Sequence, residues 1–281
     1  MIAATRNGSS RSSVATTRRV ATPLPVVVLH TTRDRARALM RAAFPRRRAR
    51  LLLARTPAEL ESSFRAELVD AVIVDLVSAN DDTWRAAGLA REFPSVPFFG
   101  LLALRAVEAP TVAQCVTLDF ADVIVESVDD AICRELVLRS GFSARFAAAL
   151  HEPPPALALD TELQRSAWRG IVDWAGRPVR TQLLAGALGV TREHLSRTFA
   201  ADGSPNLKRV IDLVRLIAAA ELSKNPGYDV RDVAAVLDFA SSSHLSSTAQ
   251  RVVGTKPASL SRLRAVDLVD RFMRGHRRSR G

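Results

Sequence analysis

The sequence predicts an α/β domain built on a five-stranded parallel sheet, followed by an all-α domain. Between residues 24 and 146, five short apolar runs alternate with helix-like stretches, which is the pattern of parallel strands joined by crossover helices. Beyond residue 160 the apolar positions recur at helical spacing instead. The chain has 281 residues, of which 47% are hydrophobic, so each of the two domains can bury its own core.

The α/β segment is predicted to be flavodoxin-like, because each short apolar run is followed by a stretch with helical periodicity. The predicted strands cover residues 26–29, 51–54, 71–76, 98–103 and 123–125. The predicted helices cover residues 33–44, 57–66, 82–91, a weaker stretch at 109–115, and 129–146.

Asp75 stands at the end of the third predicted strand, and the carboxyl ends of strands are where doubly wound sheets bind ligands. With its five strand–helix repeats, this segment resembles the receiver domain of bacterial response regulators, and Asp75 takes the phosphoacceptor position. The alternative interpretation is an ordinary aspartate that caps the loop or the next helix.

The receiver resemblance implies three further groups: an acidic pair after the first strand for Mg²⁺, a hydroxyl after the fourth strand, and a lysine after the fifth. Here these positions hold His30 and Thr31, Leu102, and Glu126. A carboxylate in place of the lysine would repel a phosphoryl group, and little remains to anchor the metal. The sequence therefore predicts a receiver-like domain in which Asp75 is inactive as a phosphoacceptor.

A weak internal repeat in the second half indicates two helix-turn-helix units. The spacing Ala-x3-Gly-Val-x4-Leu at 185–195 returns 49 residues later as Ala-x3-Asp-Phe-x5-Leu at 234–245. Such a unit needs a small residue in its first helix, a residue that tolerates positive φ at the turn, and apolar anchors on both sides. Gly189 fills the turn position of the first unit, and Asp238 that of the second, since Asp tolerates the left-handed conformation.

Each unit is predicted to present a recognition helix to DNA. Thr191 is placed to cap a helix over 192–201, and the serines at 241–243 to cap a helix that ends near Val253. An apolar stripe over 207–222 predicts one connecting helix of about 19 residues and roughly 28 Å. The predicted DNA-binding residues are Thr191, Arg192, Glu193, His194 and Arg197 in the first unit, and Ser242, Ser243, His244, Ser247 and Arg251 in the second.

This arrangement resembles the AraC/XylS family of bacterial transcription factors over about 100 residues, from near Leu163 to Leu263. The matching pieces are Leu184-Ala185-x3-Leu188-Gly189-Val190-Thr191-x3-Leu195-Ser196-Arg197-x-Phe199, Arg215-Leu216, Val233-Ala234-x3-Leu237-Asp238-Phe239, and Gly254-Thr255-Lys256-Pro257. The family usually has aromatic residues at the positions of Leu245, Ala249 and Val253, and a basic one at Ser247. The resemblance therefore implies a less filled core and a weaker grip on DNA in the second unit.

Proline-rich sequence at 153–155 marks the domain boundary as a short, stiff, extended linker. The predicted divisions are a disordered basic arm (1–23), the receiver-like domain (24–146), the linker (147–160), the double helix-turn-helix domain (161–265) and a basic tail (266–281).

The net charge of +11 is concentrated where a polyanion would bind. Residues 1–25 carry +4, residues 26–156 carry −1, and residues 157–281 carry +8. Cys115 and Cys133 form no metal-spaced motif and are expected to be buried thiols, with a disulfide as the less favoured reading.

The sequence as a whole predicts a cytoplasmic, sequence-specific DNA-binding transcriptional regulator, not an enzyme. No apolar run is long enough to cross a membrane, and no phosphate loop, GxSxG motif or metal-binding cluster is present. The expected partners are double-stranded DNA, RNA polymerase, and a second copy bound through the N-terminal domain, with no cofactor and no metal. Two alternatives stay open: a true response regulator phosphorylated on Asp75, and a protein-binding adaptor whose DNA surface has decayed.

Overall fold

The computed structural model describes residues 22–103 and 109–278, apart from the side chains of residues 202 and 276–278. Nearly all of the predicted basic arm, residues 1–21, lies outside the described residues. Among the helices that are described, none is long and apolar enough to cross a membrane.

The N-terminal domain is a parallel five-stranded sheet, which confirms the predicted fold class. The strand order is β2-β1-β3-β4-β5. Strand β2 lies on one side of β1, and β3, β4 and β5 follow in turn on the other side, as in doubly wound sheets. Every residue of β1, β3 and β4 is buried, as expected for strands covered on both faces. The strands are β1 (Val26–His30), β2 (Arg50–Ala54), β3 (Ala71–Asp75), β4 (Phe98–Leu102) and β5 (Asp122–Val125).

Helices join the strands of this domain close to the predicted positions, with one difference at its end. The helices are α1 (Asp34–Ala43), α2 (Pro57–Ala66), α3 (Asp81–Gly88), α4 (Ala109–Thr117), α5 (Cys133–Ser140) and α6 (Phe142–Ala149), with a 3-10 turn at Leu89–Arg91. The prediction of a single helix over 129–146 is wrong, because α5 and α6 are separated at Gly141. Gly141 is extended, with ψ of 154°, because the N–H groups of Phe142 and Ser143 donate to Asp70, each at 2.9 Å, and not to the preceding turn.

Both cysteines are buried and free, as expected. Burial raises the pKa of each thiol to about 11. They are therefore protonated, inert packing groups at neutral pH.

The proline-rich connection is packed against the protein and is not an extended spacer. It contains a 3-10 turn (Pro155–Leu157), and Leu157 and Leu159 are 0% and 3% exposed. At its start, Trp168 Nε1 donates to the Leu150 carbonyl at 2.7 Å. The two apolar side chains account for the difference, since burying them offsets the cost of ordering this segment.

The C-terminal domain is entirely helical. Its helices are α7 (Glu162–Val172), α8 (Thr181–Ala187), α9 (Arg192–Phe199), α10 (Leu207–Leu222), α11 (Val230–Val236), α12 (Ser242–Val253) and α13 (Ala265–Arg278), with 3-10 turns at Ala201–Gly203 and Pro257–Arg262. The connecting helix α10 has 16 residues, fewer than the expected 19, because the Asn206 side chain caps it. Its length is therefore about 24 Å.

The segment expected to be a basic tail from residue 266 forms helix α13 instead. Leu268, Val269 and Phe272 are buried on one face, and the Arg209 guanidinium lies 5.1 Å from the centre of the Phe272 ring. Spacing of these apolar residues at i, i+1 and i+4 gives the helix a face that packs on α10 and α12. The helical domain thus extends past the expected boundary.

The two domains share one continuous core. Tyr228, between α10 and α11, packs edge-on against Phe93 and Phe64 of the α/β domain, with ring centres 4.9 and 6.4 Å apart. Asn225 accepts from the Ser95 N–H at 2.8 Å and donates to its hydroxyl at 2.7 Å. The second helix-turn-helix unit is therefore fixed to the α/β domain by both apolar and polar contacts.

Candidate nucleic-acid interface

The first predicted unit forms a tight turn between α8 and α9. Gly189 has φ of +69°, and the Val190 N–H donates to the Ala185 carbonyl at 3.1 Å. Ala185 and Leu195 are 0% exposed, so the small side chain lets the second helix cross closely over the first.

The backbone hydrogen bonds of this turn recur in the second unit, 49 residues later in the sequence. Asp238 has φ of +52°, and the Phe239 N–H donates to the Ala234 carbonyl at 2.8 Å. The N–H of each turn residue also donates three residues back: Gly189 to Gly186 at 3.2 Å, and Asp238 to Ala235 at 3.0 Å. The internal repeat in the sequence therefore corresponds to two matched helix-turn-helix units.

The same kind of cap begins both recognition helices. The Thr191 hydroxyl accepts from the His194 N–H at 3.1 Å, and the Ser241 hydroxyl accepts from the His244 N–H, also at 3.1 Å. The offset is now 50 residues, because the second turn is one residue longer. Of the three candidate serines, Ser241 is the cap.

Arg215 of α10 holds the second turn, a role that the sequence did not reveal. Its Nη2 donates to the carbonyls of Leu237 and Asp238, at 3.0 and 3.1 Å, and its guanidinium lies 3.8 Å from the centre of the Phe239 ring. Burial lowers the pKa of this guanidinium. The only available signal was the Arg215-Leu216 match to the family pattern, which identifies the position but not its partners.

Helix α9 presents a continuous polar surface. Leu195 and Phe199 are fully buried beneath it. Neither Arg192 nor Arg197 forms an ion pair with any other residue whose side chain is described. The exposed residues are Thr191, Arg192, Glu193, His194, Ser196 and Arg197, which include all five predicted in this unit.

The corresponding side chains of α12 are partly engaged within the protein. The His244 ring packs edge-on against Phe239 with centres 5.6 Å apart, and its Nδ1 accepts from the Ala240 N–H at 3.3 Å. Arg251 pairs with Asp212 of α10 at 2.9 Å. Ser243 and Ser247 are exposed, and Ser242 is half-buried. The second unit therefore offers fewer free polar groups, and no free cation from α12.

Beneath α12 the positions that are usually aromatic in the family are nevertheless buried. Leu245, Ala249 and Val253 are at most 3% exposed. The smaller side chains thus still seat the helix on the core.

A third group of functional candidates lies at the carboxyl edge of the α/β sheet, around Asp75. Arg33 donates from Nε and Nη2 to the two oxygens of Asp75, each at 2.7 Å, and also pairs with Glu126. Thr31 donates its hydroxyl to Asp75 at 2.5 Å. The hydrogen bonds with Asp75, and then those with Glu126, raise the pKa of Arg33, so it stays charged at all working pH values. Leu102 is buried, and its carbonyl accepts from the Glu126 N–H at 2.8 Å.

These residues do not fit the Mg²⁺ ion that a phosphorylated receiver requires. A hard dication needs several oxygen ligands free to coordinate it. Both oxygens of Asp75 are held by Arg33, and Glu126 is shared between Arg33 and Arg35, which lies 3.5 Å away. The Arg33 guanidinium therefore supplies positive charge beside Asp75, where a phosphorylated receiver would hold a metal ion. The sequence analysis did not single out Arg33.

Comparison with known proteins agrees with the geometry of the C-terminal domain. Residues 184–262 match the model of a helix-turn-helix domain family. The match spans both turns, α9, α10 and α12. No curated protein matches the sequence.

Solved structures of response regulators resemble part of this chain. A response regulator from Thermotoga maritima is 18% identical, with 42% of this chain and 98% of that chain covered and a TM-score of 0.37. Full-length FixJ from B. japonicum is 10% identical, with 68% of this chain and 95% of that chain covered and a TM-score of 0.36. Because these scores are low, the fold assignment depends on the strand order of the sheet.

A pair of helix-turn-helix units with this turn geometry defines the chain as a DNA-binding transcription regulator. More specifically, an AraC-type helix-turn-helix domain follows an N-terminal domain with the receiver fold.

Proposed function

We propose that this protein is a sequence-specific regulator whose first helix-turn-helix unit supplies most of the DNA affinity. The observation that carries the proposal is the surface of α9, where two arginines are exposed and unpaired among the described side chains. Arginine reads guanine in the major groove and also contacts phosphate. The capped N-terminus beside Thr191 adds backbone N–H groups that suit a phosphate oxygen.

Genome-wide DNA capture with the purified full-length protein tests this function directly. We expect a recurrent sequence, bound with an affinity that falls steeply with salt as counterions are released from the phosphates. An affinity for the best captured site that is flat from low to physiological salt would contradict the proposal. Failure to enrich any sequence would favour the protein-binding adaptor.

We further propose that the N-terminal domain works without phosphorylation, as a sensor and dimerisation module. The support is the pair Arg33 and Arg35, whose two cations offset the charges of Asp75 and Glu126, and the lack of an acidic pair beside Thr31. A phosphoryl group on Asp75 would have to displace the guanidinium and then face Glu126.

Acetyl phosphate with Mg²⁺ provides the test of this second part. We expect the intact mass of the protein to stay unchanged, and the Asp75→Ala variant to behave identically. A phosphorylated species that disappears in Asp75→Ala would instead establish a true response regulator.

A homodimer formed through the N-terminal domain has support in exposed apolar side chains near the β5 edge of the sheet. Val116 and Val128 are 71% and 61% exposed, and Val112 and Ile132, each four residues away from one of them in sequence, are exposed as well. Burial of such side chains against a second copy would stabilise the pair. Sedimentation of the wild type and of Val116→Glu distinguishes a dimer from a monomer. DNA and RNA polymerase are the remaining partners that we propose, in the cytoplasm.

A further inference from the structure

A cavity of about 450 Å³ lies where the two domains meet. This volume falls within the range of pockets that bind small molecules, and domain interfaces are common places for them. The cavity is bounded by α6, by the loop at Pro94 and Ser95, by α10 and by the first residue of α13. A bound molecule would therefore touch both the receiver-like domain and the helix that connects the two DNA-binding units.

The walls of this junction cavity are largely hydrocarbon. The apolar residues that line it are Pro94, Phe142, Phe146, Ala149, Leu150, Ile217 and Ala265. Two aromatic rings, Phe142 and Phe146, stack with centres 6.0 Å apart. An occupant with an apolar body would gain free energy by leaving water for these walls.

The charged lining leaves one cation without an anion. Lys224 donates to both oxygens of Glu221, each at 2.7 Å, so these two residues neutralise one another. Among the described residues, the Arg145 guanidinium donates to the Ser95 carbonyl alone, and no carboxylate of a described side chain lies within 4.0 Å of it. Partial burial lowers the pKa of the Arg145 guanidinium, although the side chain still reaches solvent.

We propose that the junction cavity binds a small amphipathic carboxylate, with its apolar body against Phe142, Phe146 and Ile217 and its carboxylate on Arg145. A single unpaired guanidinium matches a monoanion, and its planar fork binds a carboxylate through two hydrogen bonds. A phosphate dianion would retain an unbalanced charge beside Glu221, and the apolar walls would give it no partners. The inference rests on the proposed function, for which such a ligand would be the effector.

Titration calorimetry on the full-length protein tests the site with three probes: 2-naphthoate, 4-phenylbutyrate and decanoate. At least one should bind at a single saturable site, and the neutral amide of the same compound should bind about tenfold more weakly or worse, because it cannot form the charged pair. The bound probe should also raise the melting temperature of the protein.

Matched variants place the binding in this cavity. Arg145→Gln should weaken the carboxylate about tenfold or more, while Arg139→Gln, an exposed change of equal charge on α5, should not. Ala149→Phe should abolish binding by filling the cavity, whereas Ala148→Phe, exposed and outside the lining, should leave it intact. Circular dichroism verifies that each variant is folded.

The inference is overturned if no probe binds at millimolar concentration, if amide and acid bind equally, or if Arg145→Gln and Ala149→Phe bind like the wild type. DNA binding is measured on the same preparations without any carboxylate. Normal DNA binding together with failure of all the probes would reject the cavity ligand alone. Failure to bind DNA would reject the proposed function, whatever the calorimetry gives.

Discussion

Two residues in the left-handed conformation fix the direction in which each recognition helix leaves its turn. Gly189 carries no side chain and adopts φ of +69° without a steric cost, and the space around it is open. Asp238 adopts φ of +52° in the second turn, where Arg215 binds the carbonyls of Leu237 and of Asp238 itself. The arginine therefore stabilises a turn that lacks glycine.

Substitution of the turn glycine should cost stability, unlike substitution of a neighbouring helical glycine. We expect Gly189→Ala to lower the free energy of unfolding by about 1 kcal/mol, because an L-residue is disfavoured at this φ. Gly186→Ala, within α8 and also surrounded by open space, should raise it by about 0.5 to 1 kcal/mol. Urea unfolding of both variants is the measurement. If Gly189→Ala were as stable as Gly186→Ala, the left-handed turn would not be required.

At the scale of elements, the two recognition helices differ in what their polar residues already contact. On α9, Arg192 and Arg197 have no ion-pair partner among the described residues. On α12, Arg251 forms an ion pair with Asp212, and His244 contacts Phe239 and Ala240 of its own turn. The connecting helix is about 24 Å long, and successive major grooves on straight DNA are roughly 34 Å apart. Full engagement of both helices therefore requires tilted helices or bent DNA, and bending costs about 1 to 6 kcal/mol.

Substitutions in the first recognition helix should weaken DNA binding more than those in the second. Arg192→Ala or Arg197→Ala should cost about 1 to 3 kcal/mol of binding free energy. His244→Ala, Ser247→Ala and Arg251→Ala should cost clearly less, and Arg139→Ala, a distant change of equal charge, should cost little. Fluorescence anisotropy on the best captured site measures each loss.

The degree of DNA bending provides an independent check on this ranking. Gel mobility of circularly permuted sites should show a modest bend, as expected for partial engagement of α12. Equal losses from both helices, accompanied by a strong bend, would show that the second unit is fully engaged.

At the scale of the whole molecule, the two domains are joined by one cluster of buried side chains. The rings of Phe64 and Phe93 stack with centres 3.9 Å apart, and Tyr228 closes the cluster from the helical domain. Gly227 lies so close to Phe93 that an added Cβ would come within 2.5 Å of the ring. The sensor role that we propose for the receiver-like domain would therefore act on the second DNA-binding unit through these packed contacts.

Truncation of Tyr228 should destabilise the protein, but removal of its hydroxyl should not. Tyr228→Ala should lower the free energy of unfolding by about 3 kcal/mol through loss of buried aromatic packing. Its hydroxyl is buried without a hydrogen-bond partner among the described residues, so Tyr228→Phe should be neutral or slightly stabilising. Thermal unfolding of the wild type should be a single transition. Two separate transitions, or a large loss in Tyr228→Phe, would contradict the shared core.

The sequence alone determined the features that depend on local pattern. Short apolar runs separated by helical periods identified all five strands of the sheet, and the offset of 49 residues identified both turns. The residues predicted to face DNA on the first recognition helix are exposed, above the buried Leu195 and Phe199. These features are readable because i, i+4 periodicity and turn chemistry act between residues that are close in the chain.

Only the tertiary structure decided the features that join distant segments. Arg33 with Glu126, Arg215 with the second turn, and Tyr228 with Phe93 each pair side chains from elements far apart in the sequence. The break at Gly141 and the packing of α13 likewise depend on Asp70 and on the surface of α10 and α12, respectively. A single sequence records each partner's chemistry, but which partners meet depends on how the helices and strands pack.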